Sequence, residues 1–291
     1  MNFRKYNPND QVKVIDLLNL SLGRNHPNLI SAQTFEWKHF DKIFDGGTIA
    51  FVAEIDNQIV SFVCFTPLKL NTKELIWNCS IQATDPEFRR QGIVTKLTKL
   101  CEEQIQIISD NKQNSYIGFC NESGLQIDLN SKKIQHQIVG QFNQLIIFPS
   151  FFNFKNKSEL IKNKKILTWN KDESYLKWKY ENNPKTNYEK ISNESWTIYY
   201  KKSFFKVEIC DIIFKTNQKL DLSSAIDFIK NKFPTKIITL TYLPNSSTHF
   251  ISNQRPLFSL NRTIPTWLTV QSENSELLNS DNWLLFGGDI I

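Results

Sequence analysis

Nowhere in the chain is there an apolar run near the roughly 20 residues that a membrane-crossing helix needs. The longest candidate, Leu145 to Phe152, is far shorter. Met1-Asn2-Phe3-Arg4-Lys5 leads into no apolar stretch, so no signal peptide is expected and the expected location is cytoplasmic. The five cysteines, at 64, 79, 101, 120 and 210, include no Cys-x-x-Cys pair and are odd in number. In their apolar surroundings they read as reduced core thiols, not as a disulfide frame or a metal cluster. His-Glu-x-x-His, Gly-x-Ser-x-Gly and Gly-Lys-Ser/Thr are also missing, so zinc-protease, serine-hydrolase and P-loop chemistry find no support. No metal is expected.

What the chain does contain suits a globular enzyme: 291 residues, 40% hydrophobic and 13% aromatic. That length suggests two units of about 140 residues each. Thirty-five basic residues against 29 acidic ones leave a net charge of +6, which favours small anionic ligands. Any single lysine is as well explained by a solvated surface.

The most informative stretch is Thr84-Asp85-Pro86-Glu87-Phe88-Arg89-Arg90-Gln91-Gly92-Ile93-Val94. Before it, Leu75 to Ala83 reads as a strand. After it, Val94, Leu97, Cys101, Ile105 and Ile108 recur at steps of three and four, which predicts a helix over Gly92 to Ser109 with one buried stripe. A strand that turns tightly through a glycine into a helix aims backbone N–H groups and the positive helix end at one point. Such a point binds phosphate.

This wording resembles the acyl-CoA signature of the GNAT N-acetyltransferase superfamily, with Arg89, Gly92 and Val94 on its Arg/Gln-x-x-Gly-x-Gly/Ala positions. Val94 departs from the usual small residue. The resemblance covers roughly the first 150 residues and implies an acyl-CoA thioester as co-substrate and direct acyl transfer to an amine. It implies that backbone groups of Ala83 and Thr84 hold the pantetheine and thioester. Arg89, Arg90, Gln91, Gly92, Ile93 and Val94 would hold the pyrophosphate, mostly through N–H groups. Asn121 matches the asparagine that touches the pantetheine arm, and a helix N-cap role is compatible with that.

The acid and base depart from the family pattern. Asp128 stands where a tyrosine commonly protonates the leaving thiolate, which leaves Ser123, a water, or departure as the thiolate. Gln82 replaces a glutamate common near the bend of the fourth strand. His39 is the leading candidate base, expected to titrate near neutrality, with a solvated helix histidine as the alternative. His26 ranks second and Asp85 third; His136 and His249 look peripheral. Asp289 would reach the cleft only if the C-terminus folds back.

An internal echo suggests a tandem fold. Phe35-Glu36-Trp37-Lys38-His39-Phe40 resembles Leu176-Lys177-Trp178-Lys179-Tyr180. Strand-like runs follow each: Thr48 to Ile55 and Ile59 to Pro67 in one half, Trp196 to Lys201 and Phe204 to Lys215 in the other. A helix at Ser223 to Lys232 and a strand at Lys236 to Tyr242 then match Gly92 to Ser109 and Ser115 to Cys120. The expected fold class is therefore α/β: two tandem GNAT-like domains, each a mixed, mostly antiparallel twisted sheet flanked by helices. The first, 1–154, carries the acyl-CoA site. A Lys- and Asn-rich linker spans 155–170, and 171–291 forms a second domain with Asn217 to Asp221 in place of the CoA loop.

Phe119-Cys120-Asn121-Glu122-Ser123 and the ending Trp283-Leu284-Leu285-Phe286-Gly287-Gly288-Asp289 resemble bacterial nucleotide-amino-sugar N-acyltransferases of the tandem type. That narrower resemblance implies a dTDP-linked 3-amino-dideoxy sugar as acceptor, in surface polysaccharide (lipopolysaccharide) biosynthesis, with no nucleic-acid or membrane partner. Two other readings stay open: a non-catalytic acyl-CoA-binding module, and a tandem-GNAT peptidyltransferase using aminoacyl-tRNA.

Overall fold

The structure, a computed structural model, describes residues 1–22, 29–44, 47–110, 112–122, 124–125, 137–149, 166–215, 222–244 and 259–287. One 11-stranded sheet runs through it. The first half contributes β1 (Asn2–Lys5), α1 (Gln11–Leu22), α2 (Ala32–Phe40), β2 (Ile49–Ile55), β3 (Gln58–Lys69), β4 (Leu75–Thr84), α3 (Ile93–Ile108), β5 (Tyr116–Cys120) and β6 (Gln137–Ile147). The second contributes α4 (Glu173–Leu176), which continues as a π-turn over Lys177–Glu181, then β7 (Glu189–Ser192), β8 (Trp196–Lys202), β9 (Lys206–Phe214), α5 (Leu222–Lys232), β10 (Ile237–Tyr242) and β11 (Ser259–Gln271).

Local chemistry explains several of these choices. Asp56 and Asn57 both adopt positive φ, 49° and 65°, and make the two-residue turn whose twist suits the β2–β3 hairpin. α3 buries Ile93, Leu97, Cys101 and Ile105, one turn apart, against Val63, Phe65 and Trp77. Burial of Ile93, Leu97 and Ile105 contributes roughly 1.5–3 kcal/mol each. The buried stripe is thus shifted by one residue from the sequence expectation at its start: Val94 is only half-buried, and Ile108 at the other end is 44% exposed. α1 and α2 cover the opposite face through Val14, Leu17, Leu18 and Phe35.

The strand order, β1-β2-β3-β4-β5-β11-β6-β10-β9-β8-β7, is nearly palindromic. The two parallel pairs, β4–β5 and β9–β10, are each joined through a helix, α3 or α5. Every other neighbouring pair is antiparallel. The fold is thus α/β with two GNAT-like halves related about the β11–β6 seam. It also corrects the repeat alignment: β8 and β9 occupy the places of β3 and β4, not of β2 and β3. The sequence echo matched strands by order after the tryptophan segment, and the short β7 was not legible in it.

The halves trade strands at the seam. β11, from the end of the chain, pairs β5 along Trp267–Gln271 and β6 along Ser259–Thr263 and Trp267–Val270. β6 in turn pairs β10 of the second half. Over the seam lies an aromatic cluster with Phe142, Trp169, Trp178 and Trp283 buried. The expected linker lies outside the described residues up to 165, as does the Asn217 to Asp221 stretch.

Candidate active site

β4 and β5 are hydrogen-bonded neighbours only at Trp77–Tyr116, Asn78–Ile117 and Cys79–Gly118. β4 nevertheless runs on to Thr84, and β5 to Cys120. The two strands therefore diverge, and a gap opens between them. The cause is visible in the β3–β4 register: Phe65 pairs Cys79 and Cys64 pairs Ile81, leaving Ser80 as an extra residue. A bulge of this kind bends its strand and increases its twist.

His39 holds that bulge. Its Nδ1 lies 3.0 Å from Ser80 Oγ, and Ser80 Oγ donates to the Cys64 carbonyl at 3.3 Å. With the hydroxyl proton given to Cys64, the imidazole donates through Nδ1–H. The ring is 1% exposed, and burial, reinforced by the neighbouring Lys38 ammonium, holds its pKa well below the ordinary 6.5. Titration near neutrality, expected from sequence, is therefore corrected: the α2 face that carries His39 is packed against the sheet, and the imidazole stays neutral.

A cleft of about 670 Å³ occupies the gap. Of the residues singled out in the sequence, Ala83, Thr84, Arg89, Arg90, Gly92, Ile93, Val94 and Asn121 line it. Gln91 is exposed and does not. Leu18 and Ser21 of α1, Ile30, Ile81, Gln82, Phe88, Thr95 and Gly124 complete the wall. The spacing of Val14, Leu17, Leu18 and Ser21 would have revealed α1 as a helix, but nothing in it tells which face meets the cleft.

At the cleft mouth, Pro86–Phe88 form a 3-10 turn capped by Asp85, whose carboxylate accepts from the Glu87 N–H at 3.0 Å. The Arg89 guanidinium donates to the Thr84 carbonyl at 3.2 Å, tying the loop back to its strand. Arg90 and Gly92 both take left-handed backbone, φ 63° and 73°. Gly92 is the N-cap of the 16-residue α3; no side chain caps this end, and no acidic residue sits in the first turn. A Cβ built on Gly92 meets nothing within 4 Å. The positive end of α3 thus faces open space, the arrangement that receives an anion.

Asn121 caps the next helical turn, accepting from Gly124 N–H at 2.9 Å, and lines the cleft as well. His39 and Asp85 are buried and do not line it. Ser123 lies outside the described residues, as do His26, Asp128, His136, His249 and Asp289. The described wall holds no carboxylate, imidazole or phenol. Among the described residues no group of His, Cys, Asp and Glu is placed to hold a metal, and no helix is long and apolar enough to cross a membrane.

The second half has the equivalent divergence, and it is filled. β9 and β10 pair only from Ile237–Lys206 to Leu240–Ile209, after which Tyr242 bridges Phe286 of the C-terminal segment. Leu284 and Phe286 pack into that half's core. Where His39 meets Ser80, Tyr180 donates instead to Asp211 at 2.8 Å, and Asp211 pairs with Lys171, also at 2.8 Å. So the tryptophan-containing ending that carried the narrower resemblance is, at Trp283 to Phe286, buried core.

Residues 2–124 match the family model of the acetyltransferase (GNAT) domain. The matched segment covers 123 of the 291 residues and ends within the cleft wall. Among solved structures, a probable N-acyltransferase from Enterococcus faecalis V583 is similar at a TM-score of 0.63 and 12% identity, over 93% of this chain and 72% of that one. A putative acetyltransferase from Pyrococcus horikoshii is similar at 0.60 and 9%, over 100% and 94%. A tandem GNAT protein of the clavulanic acid biosynthesis pathway is similar at 0.52 and 8%, over 93% and 98%. At such identities the likeness is one of fold. No curated protein matches the chain.

Proposed function

We propose that the chain is an acyl-CoA-dependent N-acyltransferase that passes an acyl group directly to the amine of a small acceptor. One observation carries this reading: the uncapped, acid-free start of α3, opening at the mouth of the β4–β5 gap. The coenzyme supplies an activated thioester when bound; the chain supplies its placement. The N–H groups of the Gly92–Thr95 turn receive the pyrophosphate. The β4 edge from Ser80 to Thr84, which has no strand partner on the β5 side, offers backbone groups to the pantetheine amides.

His39 and Asp85 act here as positioning residues. His39 fixes the Ser80 bulge, and so fixes where the β4 edge presents its N–H groups to developing charge. Asp85 holds the loop through Glu87. With no base in the described wall, the acceptor amine loses its proton to water, so rate rises with pH as the amine becomes neutral. The departing sulfur takes its proton from water, directly or relayed through the Ser123 hydroxyl, which regains a proton from water as it gives one up, or coenzyme A leaves as the thiolate. We take 1–154 as the catalytic unit and 171–291 as its buttress. For the acceptor we propose a dTDP-linked 3-amino-dideoxy sugar, a choice supported by the resemblance at Phe119 to Ser123 and by the net charge of +6.

A second reading, a non-catalytic acyl-CoA-binding module, is favoured by that same absence of acid and base from the described wall. Release of free thiol from acetyl-CoA, followed with a panel of amines that includes a dTDP-3-amino-3,6-dideoxy sugar, separates the two. Amine-dependent thiol release supports the transferase. Acyl-CoA binding without thiol release for any amine supports the module.

A further inference from the structure

The β8–β9 hairpin carries a surface that the acyl-transfer reading does not use. Its turn, closed by Ser203 N–H donating to the Lys206 carbonyl, holds Phe204 and Phe205 at 82% and 72% exposure. Those are the two most exposed large apolar side chains among the described residues. Their rings meet edge to face at 4.6 Å, so together they form one apolar knob instead of two scattered side chains.

The knob is braced from beneath and ringed by cations. Lys236 Nζ donates to the carbonyls of Ser203 and Phe204, at 3.0 and 2.6 Å, and Ile237 N–H donates to the Phe205 carbonyl. The turn is therefore held against the start of β10. Lys201, Lys202 and Lys206 flank it on the hairpin, and Lys232 ends the adjacent α5, whose neighbour Phe233 lies 5.8 Å beneath Lys202 Nζ. Among the described residues only Glu208 and Glu189 pair with these lysines, Glu208 with Lys201 and Lys206, Glu189 with Lys202. Five lysines against two carboxylates leave the tip basic.

We propose that this hairpin docks the protein on an anionic phospholipid surface, with Phe204 and Phe205 entering the headgroup region and the lysines meeting lipid phosphates and carboxylates. Exposed aromatics bordered by lysines suit the interface between water and acyl chains, where rings are buried and ammonium groups stay hydrated. Anionic lipid attracts each lysine by its surface potential. A knob, unlike a groove, has no wall to grip a partner's side chain, which favours a fluid surface over an acidic protein. This contact is peripheral and needs no membrane-crossing segment. The sequence reading expected no membrane partner, and it placed Phe204 and Phe205 inside the strand-like run Phe204 to Lys215, where two adjacent aromatics look like sheet residues.

The test is co-sedimentation of the full chain with vesicles of phosphatidylcholine alone, or with about 30 mol% phosphatidylserine. The expected result is binding to the anionic vesicles that weakens with added salt, and about tenfold weaker binding to phosphatidylcholine alone. Phe204→Ser/Phe205→Ser should lose anionic-vesicle binding about tenfold while keeping the wild-type melting temperature and acyl-CoA affinity, since both rings are outside the core. Lys202→Gln/Lys232→Gln should weaken binding and flatten its salt dependence. Absence of wild-type binding to anionic vesicles, or binding that the double serine variant retains in full, overturns the proposal. So does a tip-dependent complex with an acidic protein that forms while vesicles are ignored.

Discussion

The indole of Trp37 donates to the backbone carbonyl of Trp178, and the indole of Trp178 donates back to that of Trp37, each at 3.0 Å. Their rings stack at 5.0 Å. The two residues belong to the repeated segment of the sequence, so the internal echo meets itself at the junction of the halves. The exchange is reciprocal, as in a symmetric dimer interface, although one chain supplies both sides.

This pair predicts strong mutual dependence. Trp178→Ala removes a buried indole and leaves the Trp37 carbonyl without its donor, at about 3–5 kcal/mol. Trp37→Phe and Trp178→Phe each lose one hydrogen bond, and their double-mutant cycle should show coupling of at least about 0.5 kcal/mol. Urea unfolding measures both. Additive single effects would mean that the two indoles do not act together.

The His39 imidazole makes acid stability a second prediction. Its folded pKa lies below the unfolded 6.5, so as pH falls through 6.5 the unfolded chain takes a proton that the folded chain refuses. Stability is therefore fully present above about 6.5 and declines below it, by up to about 1.4 kcal/mol per pH unit from this group. Urea midpoints for wild type and His39→Gln at about pH 7.5 and about pH 5 check it. The variant should lose less on acidification, and an equal loss would contradict the buried, neutral imidazole.

A third prediction concerns Asp211, which is fully buried and accepts from Lys171, Tyr180 and its neighbour's N–H, that of Ile212. Asp211→Ala removes the carboxylate that a nearly buried ammonium pairs with and should cost about 3–5 kcal/mol. Asp211→Asn keeps an acceptor and should cost less. Chemical denaturation distinguishes them.

Thr66 supplies the opposite case. Its hydroxyl is buried beside Asn78 with no hydrogen-bond partner among the described residues. Thr66→Val removes an unsatisfied group at nearly constant volume, so thermal unfolding should show no loss and up to about 1 kcal/mol of gain.

Much of the first half was legible because its signals are local. The β4 strand, the Gly92 turn and the helical repeat behind Leu97, Cys101 and Ile105 each sit within a few residues of one another. The role of His39 was not legible: a histidine on a short helix looks solvated until packing shows Ser80 against it. Nor could sequence show that β11 crosses the seam to pair β5, since that pairing joins residues about 150 apart. The filled second cleft depends on Phe286 reaching Tyr242, another contact that no local pattern announces. The loop at Arg89–Gly92 was read from its wording, and its geometry rests on two left-handed residues, of which only the glycine is visible as such in a sequence.

Whether the α3 start receives an acyl-CoA pyrophosphate is decided by isothermal titration of acetyl-CoA into wild type and Gly92→Glu. At φ 73° any side chain adds about 1–2 kcal/mol of strain, and a carboxylate also brings negative charge to the anion's place. Wild type should bind saturably, and a folded Gly92→Glu protein should not bind. Failure of wild type to bind acetyl-CoA or a longer acyl-CoA, or full affinity retained by Gly92→Glu, would contradict it.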